Sequence, residues 1–201
     1  MFINSPILNK IALSISVLFI VYLIYISVPT FFFVKDHHVS LGDSRYVHKV
    51  SKESYINILA KTLTKKCTTK LCETQVILNY VTNIEYKINN WITMSPKKTI
   101  EVGHGDCDDK SNLLISLLKA RNIESYFVLV PKHIFVIVSL DDSRLNNIKG
   151  LHMDDKKYYI LESTAKNSFI GFALKYSYDD IKAIIEPFSN TKIDFENIIY
   201  K

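Results

Sequence analysis

Residues 102–111, VGHGDCDDKS, set one cysteine among three aspartates and two of the chain's five glycines, directly ahead of the helix-forming run NLLISLLKA. Three roles fit a cysteine at such a junction: a nucleophile, a metal ligand, or an inert residue in a helix cap. The thiolate is the reactive form, and carboxylates facing the sulfur would oppose it. The aspartates have other work available. Asp106 is a good N-cap, and Asp109, three residues on, forms a box-like pair with it, each carboxylate accepting from a free N–H of the first turn. Cys107 is then the first helical residue, where the positive end of the helix dipole favours thiolate. Gly103 and Gly105 point to a turn driven by the backbone.

A nucleophilic cysteine needs a base, and the base needs an orienting partner. His133 opens the apolar run HIFVIVSL, where packing gives little reason for an imidazole. Glu162 comes near the end of KYYILES, and a carboxylate behind YYIL is equally hard to explain by packing. A satisfied core histidine and a strand-end surface carboxylate are the plain alternatives. A zinc site built from His104, Cys107, His133 and Glu162 uses acceptable ligand types. Its single close pair, His104-x-x-Cys107, falls short of the two pairs that strong zinc signatures carry. The expectation is a catalytic trio of Cys107, His133 and Glu162, with no metal or cofactor and with His104 at the rim.

Three helices and three strands must position these side chains. Residues 53–65 put Ile56, Leu59, Ala60 and Leu63 at helical spacing, and from about Leu71 to Tyr86 a second helix turns Thr74, Ile77, Leu78, Val81 and Ile84 inward. INNWITMSP breaks the pattern, and Pro96 biases Ser95 away from helix. A third helix runs from Cys107 to about Arg121, burying Leu114, Leu117 and Leu118. The period then switches to two: SYFVLV (125–130) and HIFVIVSL (133–140) read as strands joined by a tight Pro131-Lys132 hairpin, with KYYILES (157–163) a third strand. YSYDDIKAIIEPFSN reads as a short helix ended by Pro187. Helices followed by a helix feeding an antiparallel sheet indicate the α+β class.

GDCDDKSNLLISLLKARNIESYFVLV, then HIFVIV, then YYILEST is similar to the transglutaminase-like superfamily, whose core is a papain-like cysteine nucleophile fold. ILNYVTNIEYK and SPKKTIEVGHGDC look like that family's lead-in helix and loop, so the resemblance covers about residues 72–171. It implies Cys107 as nucleophile, His133 as general base and Glu162 at the position usually held by aspartate, a departure by one methylene. The family's oxyanion-stabilising side chain does not map by motif. Backbone N–H groups at the helix start are the implied donors, with Trp91 or Tyr86 as side-chain candidates. The implied chemistry is acyl transfer from a protein or peptide amide through a thioester, ending in cross-linking, deamidation or proteolysis. A catalytically inactive binding module of the same fold is the alternative.

Ahead of this domain, Ile11 to Val34 contains no charged residue. At about 1.5 Å per residue such a helix is about 36 Å long, enough for a bilayer core of about 30 Å. The run is too long for a signal-peptide core and no A-x-A-like site follows, so residues 1–34 read as a retained single-pass anchor. Residues 35–70 read as a juxtamembrane connector and helix, and 71–201 as the catalytic domain. Pro29 and FFF at 31–33 suggest a bend or an end near the interface. Lys and Arg counts alone would hold the domain in the cytoplasm, whereas short amino-terminal anchors commonly deliver a long domain outward, and an extracytoplasmic domain is the expectation. Cys67 and Cys72 either form a small disulfide or are two reduced, partly buried thiols. The formal charge of +5 is too small and scattered for nucleic acid, leaving a protein or peptide near the membrane as the expected partner.

Overall fold

The computed structural model describes residues 6–41, 44–47, 49–88, 93–154, 156–194 and 197–201, with the side chains of 29–48 and of Tyr178 outside that description. The chain divides into two compact units, Met1–His38 and Val39–Lys201.

The first unit is the helix α1 (Pro6–His37). Its Pro6–Val28 segment has a mean hydropathy of 2.6 with none of it buried, long and apolar enough to cross a membrane. The backbone stays helical past Pro29 and Val34 to His37, beyond the end expected from sequence.

After α1 comes a two-stranded sheet, β1 (His38–Leu41) and β2 (Ser44–Val47). The helices α2 (Ser54–Leu63) and α3 (Lys70–Asn83) follow, then the short strand β3 (Glu85–Tyr86). Next come α4 (Pro96–Val102), β4 (His104–Gly105) and α5 (Cys107–Ala120). The rest is β5 (Ser125–Val130), β6 (His133–Val138), β7 (Leu151–Met153), β8 (Lys156–Leu161), β9 (Ala183–Glu186), β10 (Thr191–Ile193) and β11 (Ile198–Tyr200).

Seven of these strands make one antiparallel sheet in the order β10-β9-β5-β6-β8-β7-β11. Its helix-facing side carries Phe127, Leu129, Ile134, Val136, Val138, Leu161 and Ile185, packed with Leu113, Leu114, Leu117 and Leu118 of α5. Alternation sends Val128, Val130, Phe135, Ile137, Ile160 and Ile184 to the opposite face, where Phe172, Leu174 and Tyr176 cover them. Helix α5 is central, with every residue from Asp109 to Leu118 buried. Two of its polar residues are satisfied from the chain leading into α2: Asn112 Oδ1 accepts from Lys49 N at 3.0 Å and Ser116 Oγ from Ser51 N at 2.8 Å. Cys67 and Cys72 are disulfide-bonded, with Cα atoms 5.4 Å apart, across the turn from α2 into α3.

The expected α+β architecture holds, with two corrections. The segment read as a closing helix instead forms strand β9, because Ile184 and Ile185 bury against opposite faces of the sheet and so follow a period of two. The break before the cysteine holds a further helix, α4, with Ser95 as its N-cap and Pro96 at its first position.

Candidate active site

Two glycines shape the approach to Cys107. Gly103 ends α4 in the left-handed region at φ 70°. At Gly105 an added Cβ would lie 2.8 Å from the Cβ of Asp109, so only glycine lets β4 pass this close to α5. Asp106 then caps α5 in a reciprocal box: Asp109 N donates to Asp106 Oδ1 at 3.5 Å, and Asp106 N donates to Asp109 Oδ2 at 3.3 Å. Asp109 also accepts from Met94 N, and Asp108 from the Thr93 hydroxyl, which ties residues 93 and 94 to the start of α5.

Cys107 is the free cysteine and the first residue of α5, half-buried. The backbone N–H groups of Ile134, one residue past His133, and of Asp108 lie near enough to its sulfur to favour the thiolate. The expectation of a dipole-favoured thiolate is overturned. Burial pushes the Cys107 thiol up to about 12, reinforced by the Asp108 and Asp106 carboxylates, and the two N–H groups offset this only in part. The aspartates therefore act on the sulfur while capping the helix. Burial and the Asp106 carboxyl likewise push Asp108 up to about 8, against the Thr93 bond that pulls it down.

His133 follows the Pro131-Lys132 turn, with Lys132 in the left-handed region at φ 60°, and pairs directly with Val130. Glu162 comes straight after Leu161, whose partner in β6 is Val136. By strand alternation His133 shares a face with Phe135, and Glu162 shares it with Ile160. His133 Nε2 lies 2.8 Å from Glu162 Oε2. The other oxygen, Oε1, accepts from Thr164 N at 2.9 Å and from Thr164 Oγ1 at 2.6 Å. Burial alone would raise the Glu162 carboxyl, but these bonds hold it below the usual carboxylate range. An ionised carboxylate only accepts, so Nε2 carries the proton of this bond and Nδ1 is the ring nitrogen left for other partners. Tyr86 and Tyr176 lie within electrostatic reach of both Cys107 and Glu162. Each phenol is raised first by burial and then by the charges of both Cys107 and Glu162. Tyr176 also stacks on the His133 ring, centroids 6.0 Å apart.

The zinc reading does not gather its ligands. His104 Nδ1 instead lies 3.2 Å from Val102 O, and among the described residues the acidic trio Asp106, Asp108 and Asp109 is the group whose ligand atoms converge, all within 4.8 Å. Trp91 lies outside the described residues.

Residues 57–135 match the family model of the transglutaminase-like superfamily, a span that runs from α2 to Phe135 and includes Cys107 and His133. That stretch of the chain is similar to the transglutaminase-like superfamily. A proposed protease from Parabacteroides distasonis is similar to this transglutaminase-like chain at 14% identity and a TM-score of 0.46, over 73% of this chain and 28% of that one. A proposed cysteine protease from Cytophaga hutchinsonii is similar at 15% identity and a TM-score of 0.45, over 76% of this chain and 52% of that one. The chain thus spans about a quarter and about half of their respective lengths. No curated protein matches it significantly.

Several side chains around the transglutaminase-like site escape a reading of the sequence alone. Thr164 fixes Glu162, and its only sequence signal is its place two residues later, the spacing of a short polar turn. Lys110 is 1% exposed and donates to Ile84 O at 2.7 Å and Thr82 O at 3.5 Å. It joins the nucleophile helix to the end of α3, just before β3 and Tyr86. Nothing local in DCDDKS distinguishes it from a solvated lysine.

Proposed function

We propose that this transglutaminase-like chain is a membrane-anchored, cysteine-dependent acyl transferase or hydrolase acting on protein or peptide amides. At the coarser level, the match to the transglutaminase-like family model over the stretch that holds Cys107 and His133 supports a cysteine-dependent activity. The finer reading rests on one observation: the ionised Glu162 fixes His133 with Nε2 protonated, leaving Nδ1 as a base at the strand end whose next N–H lies near the Cys107 sulfur.

Because Cys107 rests as a thiol, His133 takes its proton as the sulfur attacks the amide carbonyl. The carbonyl oxygen becomes an oxyanion near the first N–H groups of α5, with the half-exposed Tyr86 phenol as a side-chain donor. His133 returns the proton to the departing ammonia or amine, leaving a thioester on Cys107. An incoming amine or water, deprotonated by His133, then cleaves the S–C bond and regenerates the thiol.

In this reading residues 1–34 anchor the chain, 35–70 connect it, and 71–201 carry the chemistry near the bilayer surface. The Cys67–Cys72 disulfide favours an oxidising, extracytoplasmic side. An inactive binding module of the same fold is the second reading, favoured by the elevated Cys107 thiol. Incorporation of a fluorescent amine and release from peptide amides, run side by side on the full chain in detergent, separate the two. Turnover in either assay that disappears in Cys107→Ser supports the enzyme. Equal signals from both proteins contradict it.

A further inference from the structure

Helix α2 buries Ile56 and Ala60 in the core and packs Leu59 and Leu63 partly against it. The face turned the other way holds Ile58, Lys61 and Thr62, spaced three and four residues apart, and the turn that follows adds Lys65 and Lys66. All five are exposed, Ile58 to 65%. No acidic residue lies between Glu53 and Glu73. Lys70, the next lysine, is taken by Glu73, whereas Lys61, Lys65 and Lys66 pair with no described carboxylate. The turn cannot spread these charges apart. Lys65 N donates to Thr62 O at 3.4 Å, Cys67 N donates to Thr64 O at 2.9 Å, and the Cys67–Cys72 disulfide ties the turn to α3.

Like charges four residues apart on a helix repel, as Lys61 and Lys65 do here, and an anionic surface facing them offsets that repulsion. Two features make the surface a lipid one. Ile58 gives the patch an apolar centre, which enters the boundary between headgroups and acyl chains while the lysines keep their ammonium groups at the phosphates. A soluble polyanion offers Ile58 nothing apolar to meet. The same chain also carries Pro6–Val28, long and apolar enough to cross a bilayer. A tethered domain meets lipid headgroups at high effective concentration, so a small patch suffices.

Resting on the membrane-anchored reading above, the geometry points to this face of α2 and its turn as a docking surface for anionic lipid. Ile58 inserts, and Lys61, Lys65 and Lys66 bind the headgroup phosphates around it. The attraction is electrostatic at heart, so it weakens with salt and needs negatively charged lipid.

The test uses the full chain reconstituted in vesicles, with Ile58→Trp in a Trp91→Phe background. Trp91 is the chain's single tryptophan, so the remaining indole reports position 58 alone. The vesicles contain brominated phosphatidylcholine, which quenches indoles at acyl-chain depth, either alone or in equal parts with phosphatidylglycerol, each set against its unbrominated counterpart. In the mixed vesicles the indole is expected to lose about half its emission, as befits a group seated about 5–10 Å into the headgroup–acyl boundary. The quenching should vanish in phosphatidylcholine alone, at high salt, and when Lys65→Glu and Lys66→Glu are added. Because one protein is compared in two lipids, the effect of the substitutions on folding cancels. An indole unquenched in both lipids overturns the docking surface. Equal quenching in both, unchanged by the two glutamates, overturns its selection of anionic lipid. Flotation reads the anchor separately: protein that floats with the vesicles unquenched keeps the anchor and loses the patch. Protein that does not float overturns the membrane-anchored reading and the patch with it.

Discussion

Ser111 of α5 and Ser163, the residue after Glu162, share a hydroxyl–hydroxyl hydrogen bond of 3.2 Å with neither side chain exposed. Ser111 stands one helical turn past Cys107, so this bond couples the nucleophile helix to the carboxylate that holds His133. Replacing either serine alone by alanine leaves a buried hydroxyl without its partner, which costs about 1–3 kcal/mol. The double variant removes both groups and should recover much of the loss. Urea unfolding of the two singles and the double checks this, and simple additivity would mean the hydroxyls are not coupled.

Glu162 and Thr164 should act as a unit. Glu162→Gln replaces the ionised acceptor with an amide and releases the tautomer constraint on His133. Loss of an orienting carboxylate in such a trio lowers turnover by on the order of a hundredfold or more. Thr164→Val frees Oε1 from its shortest contact, so it should lower turnover less, and the two losses should not add in the double variant. Rates from the amine and peptidase assays measure all three, and full additivity would separate Thr164 from the site.

Asp108 gives a pH dependence with a definite sign. Its carboxyl is raised from the ordinary 3.8 to about 8, so between those values the folded chain binds more protons than the unfolded one. Its contribution to stability is full below 3.8 and is lost as pH rises through 8. Thermal melts at pH 5 and pH 9 should therefore show wild type losing more stability than Asp108→Asn. The same ionisation puts a negative charge beside the sulfur, so Asp108→Asn should also speed alkylation of Cys107 at pH 9.

Lys110 has the opposite sign. Burial lowers its ammonium from 10.5 to about 8, with Glu162 opposing and Lys166 assisting. Between those values the unfolded chain binds more protons, so stability rises with pH and the contribution is lost as pH falls through 8. Relative to Lys110→Met, wild type should gain stability from pH 8 to pH 10. A flat difference across that interval would mean that the buried amine does not titrate there.

The sequence carried the parts of this fold that depend on local period and local caps. Ile56, Ala60, Ile77, Leu78 and Val81 are buried as their spacing predicts, and the Asp106–Asp109 box forms. What it did not carry depends on long-range packing. Strand β9 is four residues long, too short to display its period against the helical look of DDIKAIIE, and the sheet decides its state. The site divides in the same way. Cys107, His133 and Glu162 are chemically odd for their positions, so they stand out in the sequence. Lys110, Thr164 and Tyr176 are ordinary residues there and gain meaning only from what they face. The direction of the thiol is not legible in the sequence, because burial sets it first and the aspartates' charge, which their capping hydrogen bonds do not cancel, adds to it.

The central claim is that His133 serves as the base for Cys107, and its most direct measurement is the alkylation rate of Cys107 in the full chain. Limiting iodoacetamide at pH 7, with the adduct mapped by mass spectrometry, should label Cys107, and His133→Ala should slow that labelling by on the order of a hundredfold. Equal rates in wild type and His133→Ala would contradict the account.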